Sequence, residues 1–150
     1  IRNAVNDAWS KNVLLVAAAG NEGPASNSID YPGAYASVVA VGAINKSLQV
    51  TAWSSRGINS LTDPDAINDR DIEFAAPGDS IESTWNNGGY VVLSGTSMAS
   101  PFVAGLAAKY WQSASTNKAQ TTREFLWKLA NDISPLGEDN YSGLGLPQVP

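Results

Sequence analysis

The chain has 150 residues, a formal net charge of −5, 43% hydrophobic and 15% charged residues, and neither cysteine nor histidine. Its length and apolar content suit a globular domain with a sizeable core, not a disordered chain. The acidic balance argues against nucleic acid as a partner, the lack of cysteine excludes disulfides and thiolate metal sites, and no apolar run approaches the roughly 18–20 residues that span a bilayer.

In chain order, residues 1–9 read as helix, with Val5 and Trp9 four apart on one face. The chain starts at Ile1 without methionine or a leader pattern and stops at Pro150, so both ends read as cuts through a larger domain. Residues 13–19 and 37–43 are continuous apolar runs, the pattern of strands buried on both faces of a parallel sheet. Residues 50–53 and 72–75 are shorter strand candidates, and 81–85 alternates. Asn86-Asn87-Gly88-Gly89 is a hairpin turn signal before a strand at 90–93. A helix apolar nearly all round is expected from near Ser97 to Ala114, with Pro101 in its first turn and Gly105 allowing close neighbours. An amphipathic helix follows at 121–131, with Phe125, Leu126 and Leu129 as its stripe. Alternating strands and helices imply an α/β architecture with a mainly parallel sheet, whose ligands bind at the carboxyl ends of the strands.

Two strand-following loops reach that end, Gly20-Asn21-Glu22-Gly23 and Gly95-Thr96-Ser97. Ser97 opens a helix, where free N–H groups and a partial positive charge suit a developing oxyanion; a plain N-cap reads equally well locally. Asn21 could donate its amide to the same oxyanion or be a turn residue.

Taken together, Gly95-Thr96-Ser97-Met98-Ala99-Ser100-Pro101 with Val103-Ala104-Gly105, and Ala17-Ala18-Ala19-Gly20-Asn21-Glu22-Gly23 upstream, resemble the subtilisin-like serine proteases. Tyr31-Pro32-Gly33, residues 37–43, Phe74-Ala75-Ala76-Pro77-Gly78 and Tyr141-Ser142-Gly143-Leu144-Gly145 extend the resemblance over essentially the whole chain. It covers the C-terminal portion of one catalytic domain, so residues 1–150 are expected to lack the N-terminal half with the triad's Asp and His.

The resemblance implies a three-layer fold with a central buried helix starting at the catalytic serine. It implies an endopeptidase that forms an acyl-enzyme on Ser97, with the Asn21 amide and the Ser97 N–H as oxyanion hole. Ala18, Ala19, Gly20 and Thr96 would line the substrate pocket, with Asp30 near its base and Glu22 at its rim. Two carboxylates there would favour Lys or Arg side chains, although acids in a loop also simply face solvent. Tyr31-Pro32 matches a family position with a cis peptide, and Phe102 stands where many members have histidine and is expected to pack in the helix core.

No organic cofactor is implied. A structural calcium is, through the carbonyls of Gly33, Tyr35 and Val38 with Glu73 nearby. Asp63, Asp65, Asp69 and Asp71 form either a second oxygen-rich site or a solvated acidic loop. Expected partners are protein or peptide substrates and the missing N-terminal half, with no nucleic acid and no membrane span; the family implies a secreted or cell-surface location. The rival readings are a non-catalytic pseudoprotease or binding module on the same fold, and a split protein completed by a partner chain.

Overall fold

The computed structural model describes residues 1–58, 68–133 and 135–149; Asp63 and Asp65 lie outside the described residues. The elements are α1 (Arg2–Ser10), β1 (Leu15–Ala18), β2 (Val38–Ile44), β3 (Phe74–Pro77), β4 (Ile81–Thr84), β5 (Tyr90–Leu93), α2 (Thr96–Lys109), α3 (Lys118–Leu129), β6 (Ala130–Asn131) and β7 (Leu146–Pro147). The two apolar runs become neighbouring parallel strands. Leu15 pairs with Val38 and Ala18 with Val41; β3 continues the sheet, Val41 facing Phe74 and Ile44 facing Pro77. All seven residues of β2 are buried. A strand without a polar alternation can be stable only with both faces covered, so β2 is the middle of a central layer. This is an α/β fold built as the sequence pattern implies.

Helix α2 packs across β1, β2 and β3 through Thr96, Ala99, Val103, Leu106 and Ala107, a three-four stripe. The expectation of a helix buried all round does not hold for this chain. Phe102 is 45% exposed, not in the core, and a Cβ on Gly105 would meet nothing within 4 Å. The bare face belongs to an apolar groove of about 600 Å³, lined by Val13 to Val16 at the free edge of β1 and by Ala104, Ala107, Ala108 and Trp111. The helix ends at Lys109, short of Ala114, and Pro101 falls inside it, beyond the first turn. There it removes the N–H that would bond the Ser97 carbonyl.

Helix α3 begins and ends earlier than its pattern suggested and buries Ala119, Thr122, Arg123 and Leu126. The candidate strand at 50–53 is a turn instead. Thr51 donates its N–H to the Ala43 carbonyl and accepts from Ser54 N–H, leaving a single bridge from Ile44 to Val50. Ile72 precedes β3 but is fully buried, with Ala19, Ile29 and Ala34. The Asn-Asn-Gly-Gly turn does close the β4–β5 hairpin, with Thr84 opposite Tyr90 and Gly88 at φ 82°. The hairpin is mostly exposed, not half-buried. It returns the chain to the sheet, where Gly95 N–H bonds the Gly78 carbonyl at 2.8 Å. That bond sets the start of α2 beside the carboxyl ends of β2 and β3.

Candidate active site

Ser97 is the second residue of α2 and is exposed. Its N–H lies in the first helical turn, where backbone donors have no partner within the helix. Asn21 follows the β1 turn and is drawn to the same place by Thr96. Thr96 N–H and Oγ1–H both donate to Asn21 Oδ1, at 3.0 and 3.2 Å, and Gly20 N–H donates to Thr96 Oγ1 at 3.1 Å. Two donors on one oxygen leave no ambiguity in the amide's orientation: Oδ1 faces Thr96, and the Nδ2 donors face away from it. The helix start thus carries the Ser97 hydroxyl and, bonded to the preceding Thr96, the anchored Asn21 amide.

Thr96 itself is fully buried. Its place among the pocket-lining residues is therefore corrected: its polar atoms are spent on Gly20 and Asn21, and it supports the site from beneath. Ala19 is likewise fully buried, its methyl packed with Ile29, Ala34 and Ile72, so it can offer a pocket only its backbone. Ala18 is half-buried.

Gly20 has φ +112°, a conformation that L side chains rarely adopt. A Cβ there would collide with Glu22 Oε2 and lie 2.8 Å from Ser55 Oγ and 2.9 Å from Asp30 Oδ2. Glycine is required because two carboxylates and a hydroxyl converge on that point. Both acids remain exposed. Desolvation and the neighbouring Glu22 carboxylate raise the Asp30 pKa above the usual carboxylate range. Ser55 was not legible as part of the site: Ser54-Ser55-Arg56-Gly57 reads as a turn, and only the fold brings it to Glu22. The Tyr31-Pro32 peptide is cis, as expected, and Gly23-Pro24 is cis as well.

The predicted metal residues are less convergent. The Tyr35 carbonyl accepts Val38 N–H at 2.9 Å. Glu73 is buried, and Arg123 Nε donates to its two oxygens at 2.7 and 2.9 Å, Arg123 Nη2 to Oε2, and Trp127 Nε1 to Oε1 at 2.5 Å. Its carboxylate is committed to an ion pair, which removes Glu73 as a free ligand. Asp69 is committed too, to Arg2 at 3.0 Å and Ala36 N–H at 2.9 Å. Asp71 is different. Its Oδ1 is buried without a partner, and burial, then the Glu73 charge, push its pKa up to about 7. Among the described residues, no group of three or more His, Cys, Asp or Glu side chains could hold a metal.

The family model of the subtilase family matches residues 1–145. The subtilisin of Bacillus sp. (strain TA39) is 47% identical over 99% of this chain and 38% of its own length. Subtilisin DY of Bacillus licheniformis is 37% identical over 99% of this chain and 50% of its own. The minor extracellular protease Epr of Bacillus subtilis (strain 168) is 38% identical over 99% of this chain and 21% of its own. The solved structure of the S41 psychrophilic protease superposes with a TM-score of 0.91 at 43% identity, covering 99% of this chain and 52% of that one. The chain therefore spans half or less of the length of these curated relatives, and about half of that solved chain. Together with the α/β fold, the match over residues 1–145 places this chain in the subtilase family.

Proposed function

We propose that this chain is the C-terminal portion of a secreted serine endopeptidase domain in which Ser97 is the nucleophile. The observation that carries the reading is the double anchoring of Asn21 Oδ1 by Thr96, the residue before the exposed Ser97, which turns the amide donors away from Thr96. Ser97 Oγ adds to the carbonyl carbon of the scissile bond, and the carbonyl oxygen becomes an oxyanion. Asn21 Nδ2 and Ser97 N–H donate to that oxygen, with the dipole of α2 adding positive potential. Collapse expels the amine and leaves an acyl-enzyme, which water hydrolyses. The proton passes from Ser97 to a base and on to the leaving amine. This chain holds no histidine, so base and orienting acid come from the rest of the domain. The groove beside α2 and the free β1 edge are where that portion packs.

Glu22 and Asp30 would receive a basic substrate side chain beside Gly20. With Glu73 committed to Arg123, Asp71 is the acid that would complete a structural cation site at the carbonyls of Gly33, Tyr35 and Val38. The orphaned Asp71 Oδ1 supports that choice, and the bond from Arg70 N–H to the Ala34 carbonyl holds its segment beside the 33–38 turn. Such a cation would neutralise a buried acid and take no part in peptide cleavage. Secretion is supported by the extracellular relative, and no helix among the described residues is long and apolar enough to cross a membrane.

A fluorophosphonate probe applied to the full-length protein tests the reading. Covalent label mapped to Ser97, and lost in Ser97→Ala, is expected. An unlabelled, folded protein would favour a binding module instead.

A further inference from the structure

Ser55 is fully buried, yet its N–H and its hydroxyl both bond the pocket loop. Its N–H donates to the Gly20 carbonyl at 3.0 Å. Its Oγ accepts Glu22 N–H at 3.1 Å and donates to Glu22 Oε2 at 3.0 Å. A side chain as flexible as glutamate is rarely held at both its backbone and its carboxylate by one residue. The result is that Glu22, which would otherwise swing into solvent, is folded back over Gly20 toward Asp30.

We propose that Ser55 is a positioning residue for substrate selection: it holds the Glu22 carboxylate on the pocket wall, beside Asp30, in the orientation that receives a basic substrate side chain. The inference rests on the reading of Ser97 as nucleophile and of Glu22 and Asp30 as pocket acids, and goes beyond it by assigning a buried residue that touches no substrate. Three features of the site support it. Gly20 lies next to Asn21, so a substrate residue whose carbonyl sits between Asn21 and Ser97 carries its side chain past Gly20. No positive charge competes for the two acids among the described residues. The Arg70 guanidinium bonds Asn27 and, at 3.4 Å, the Tyr31 hydroxyl, and that of Arg56 lies over the Tyr141 ring, 4.4 Å from its centroid. And Ser55 holds Glu22 at two points, its N–H and its carboxylate, so its removal loosens that carboxylate and leaves it with Asp30 as its neighbour.

The step is one of recognition, with no bond made or broken. A fixed carboxylate meets an ammonium or guanidinium without first losing rotamer freedom, and two fixed carboxylates do so at a site where a neutral side chain gains nothing. Ser55 therefore affects the discrimination between substrates more than cleavage as such.

The test is the ratio of kcat/KM for two peptide anilides, identical except for Lys or Leu before the scissile bond, measured on the full-length protein between pH 6 and 9. The ratio cancels the titration of the catalytic base, which is common to both. Wild type is expected to favour Lys, and Ser55→Ala to lower the ratio about tenfold, the scale of a lost charge-assisted hydrogen bond. In a Glu22→Gln background Ser55→Ala should change the ratio less than twofold, because the group it positions is gone. A Ser55→Ala enzyme that loses activity equally on both substrates has only a structural defect and overturns the proposal. So does an effect of Ser55→Ala that is unchanged by Glu22→Gln. A wild type that cleaves Leu peptides but shows no preference for Lys overturns the pocket assignment while leaving Ser97 as nucleophile. Cleavage of neither peptide overturns the nucleophile reading itself.

Discussion

Two pairs of acids lie close to the sheet, and they are resolved in opposite ways. Asp71 and Glu73 precede the start of β3, largely away from water; Glu22 and Asp30 converge on Gly20 beside Asn21. In the first pair Glu73 is closed off by Arg123 and Trp127, and its neighbour Asp71 is left with a buried, unpartnered oxygen. In the second, Ser55 bonds Glu22, and among the described residues no cation pairs with either acid. A buried carboxylate whose lone pairs are all taken supports the fold; an exposed pair without a counter-charge is available to a ligand. Charge alone does not tell function from structure here. The partner list does.

The largest effect should come from breaking the closed pair. Arg123→Met in the full-length protein leaves Glu73 buried and unpaired, and should cost about 3–5 kcal/mol in urea unfolding. A loss below about 1 kcal/mol, the scale of a surface pair, would mean that water already reaches Glu73.

Next is the acid beside it. The Asp71 pKa is raised from 3.8 to about 7 in the fold. The folded state thus binds a proton that the unfolded state releases between those values. Stability from this group is complete below about pH 4, declines as pH rises, and is gone above about pH 7. Asp71→Asn should therefore stabilise the protein at pH 8 by about 2 kcal/mol after solvent screening, and change little at pH 4. Calcium should narrow the gap at pH 8 if Asp71 is a ligand. A gap that is the same at both pH values would remove Asp71 from the account.

The smallest effect is expected at the open pair. Asp30→Ser should lower the preference for basic over apolar side chains about tenfold, with stability altered by less than about 0.5 kcal/mol. Unchanged cleavage-site preferences would show that Asp30 faces solvent and leave the contrast between the two pairs without its functional half.

Much of this architecture could be read from short stretches of chain. Continuous apolarity at 13–19 and 37–43 made two parallel strands, because only a sheet covered on both faces tolerates it. Asn86-Asn87-Gly88-Gly89 made a hairpin because its backbone demands are local. Ser97 and Asn21 stand out as candidates through their motifs. What was not legible depends on distance in sequence. Arg123 meets Glu73 across 50 residues, and Ser55 meets Glu22 across 33. Neither has a local pattern that sets it apart from a surface arginine or a turn serine. Residues 50–53 failed as a strand because Ala43, already placed in β2, captured Thr51 and turned the chain. The bare face of α2 was missed because an apolar helix looks the same in sequence whichever of its faces the rest of the chain covers.

The central claim, that Ser97 and Asn21 form one reacting centre, is tested most directly by a crystal structure of the full-length protein with a peptide boronic acid. The account predicts a tetrahedral boron on Ser97 Oγ, with one boronate oxygen about 3 Å from both Asn21 Nδ2 and Ser97 N. A boronate that bonds Ser97 but turns its oxygen away from Asn21, or one that leaves Ser97 unmodified, would contradict it.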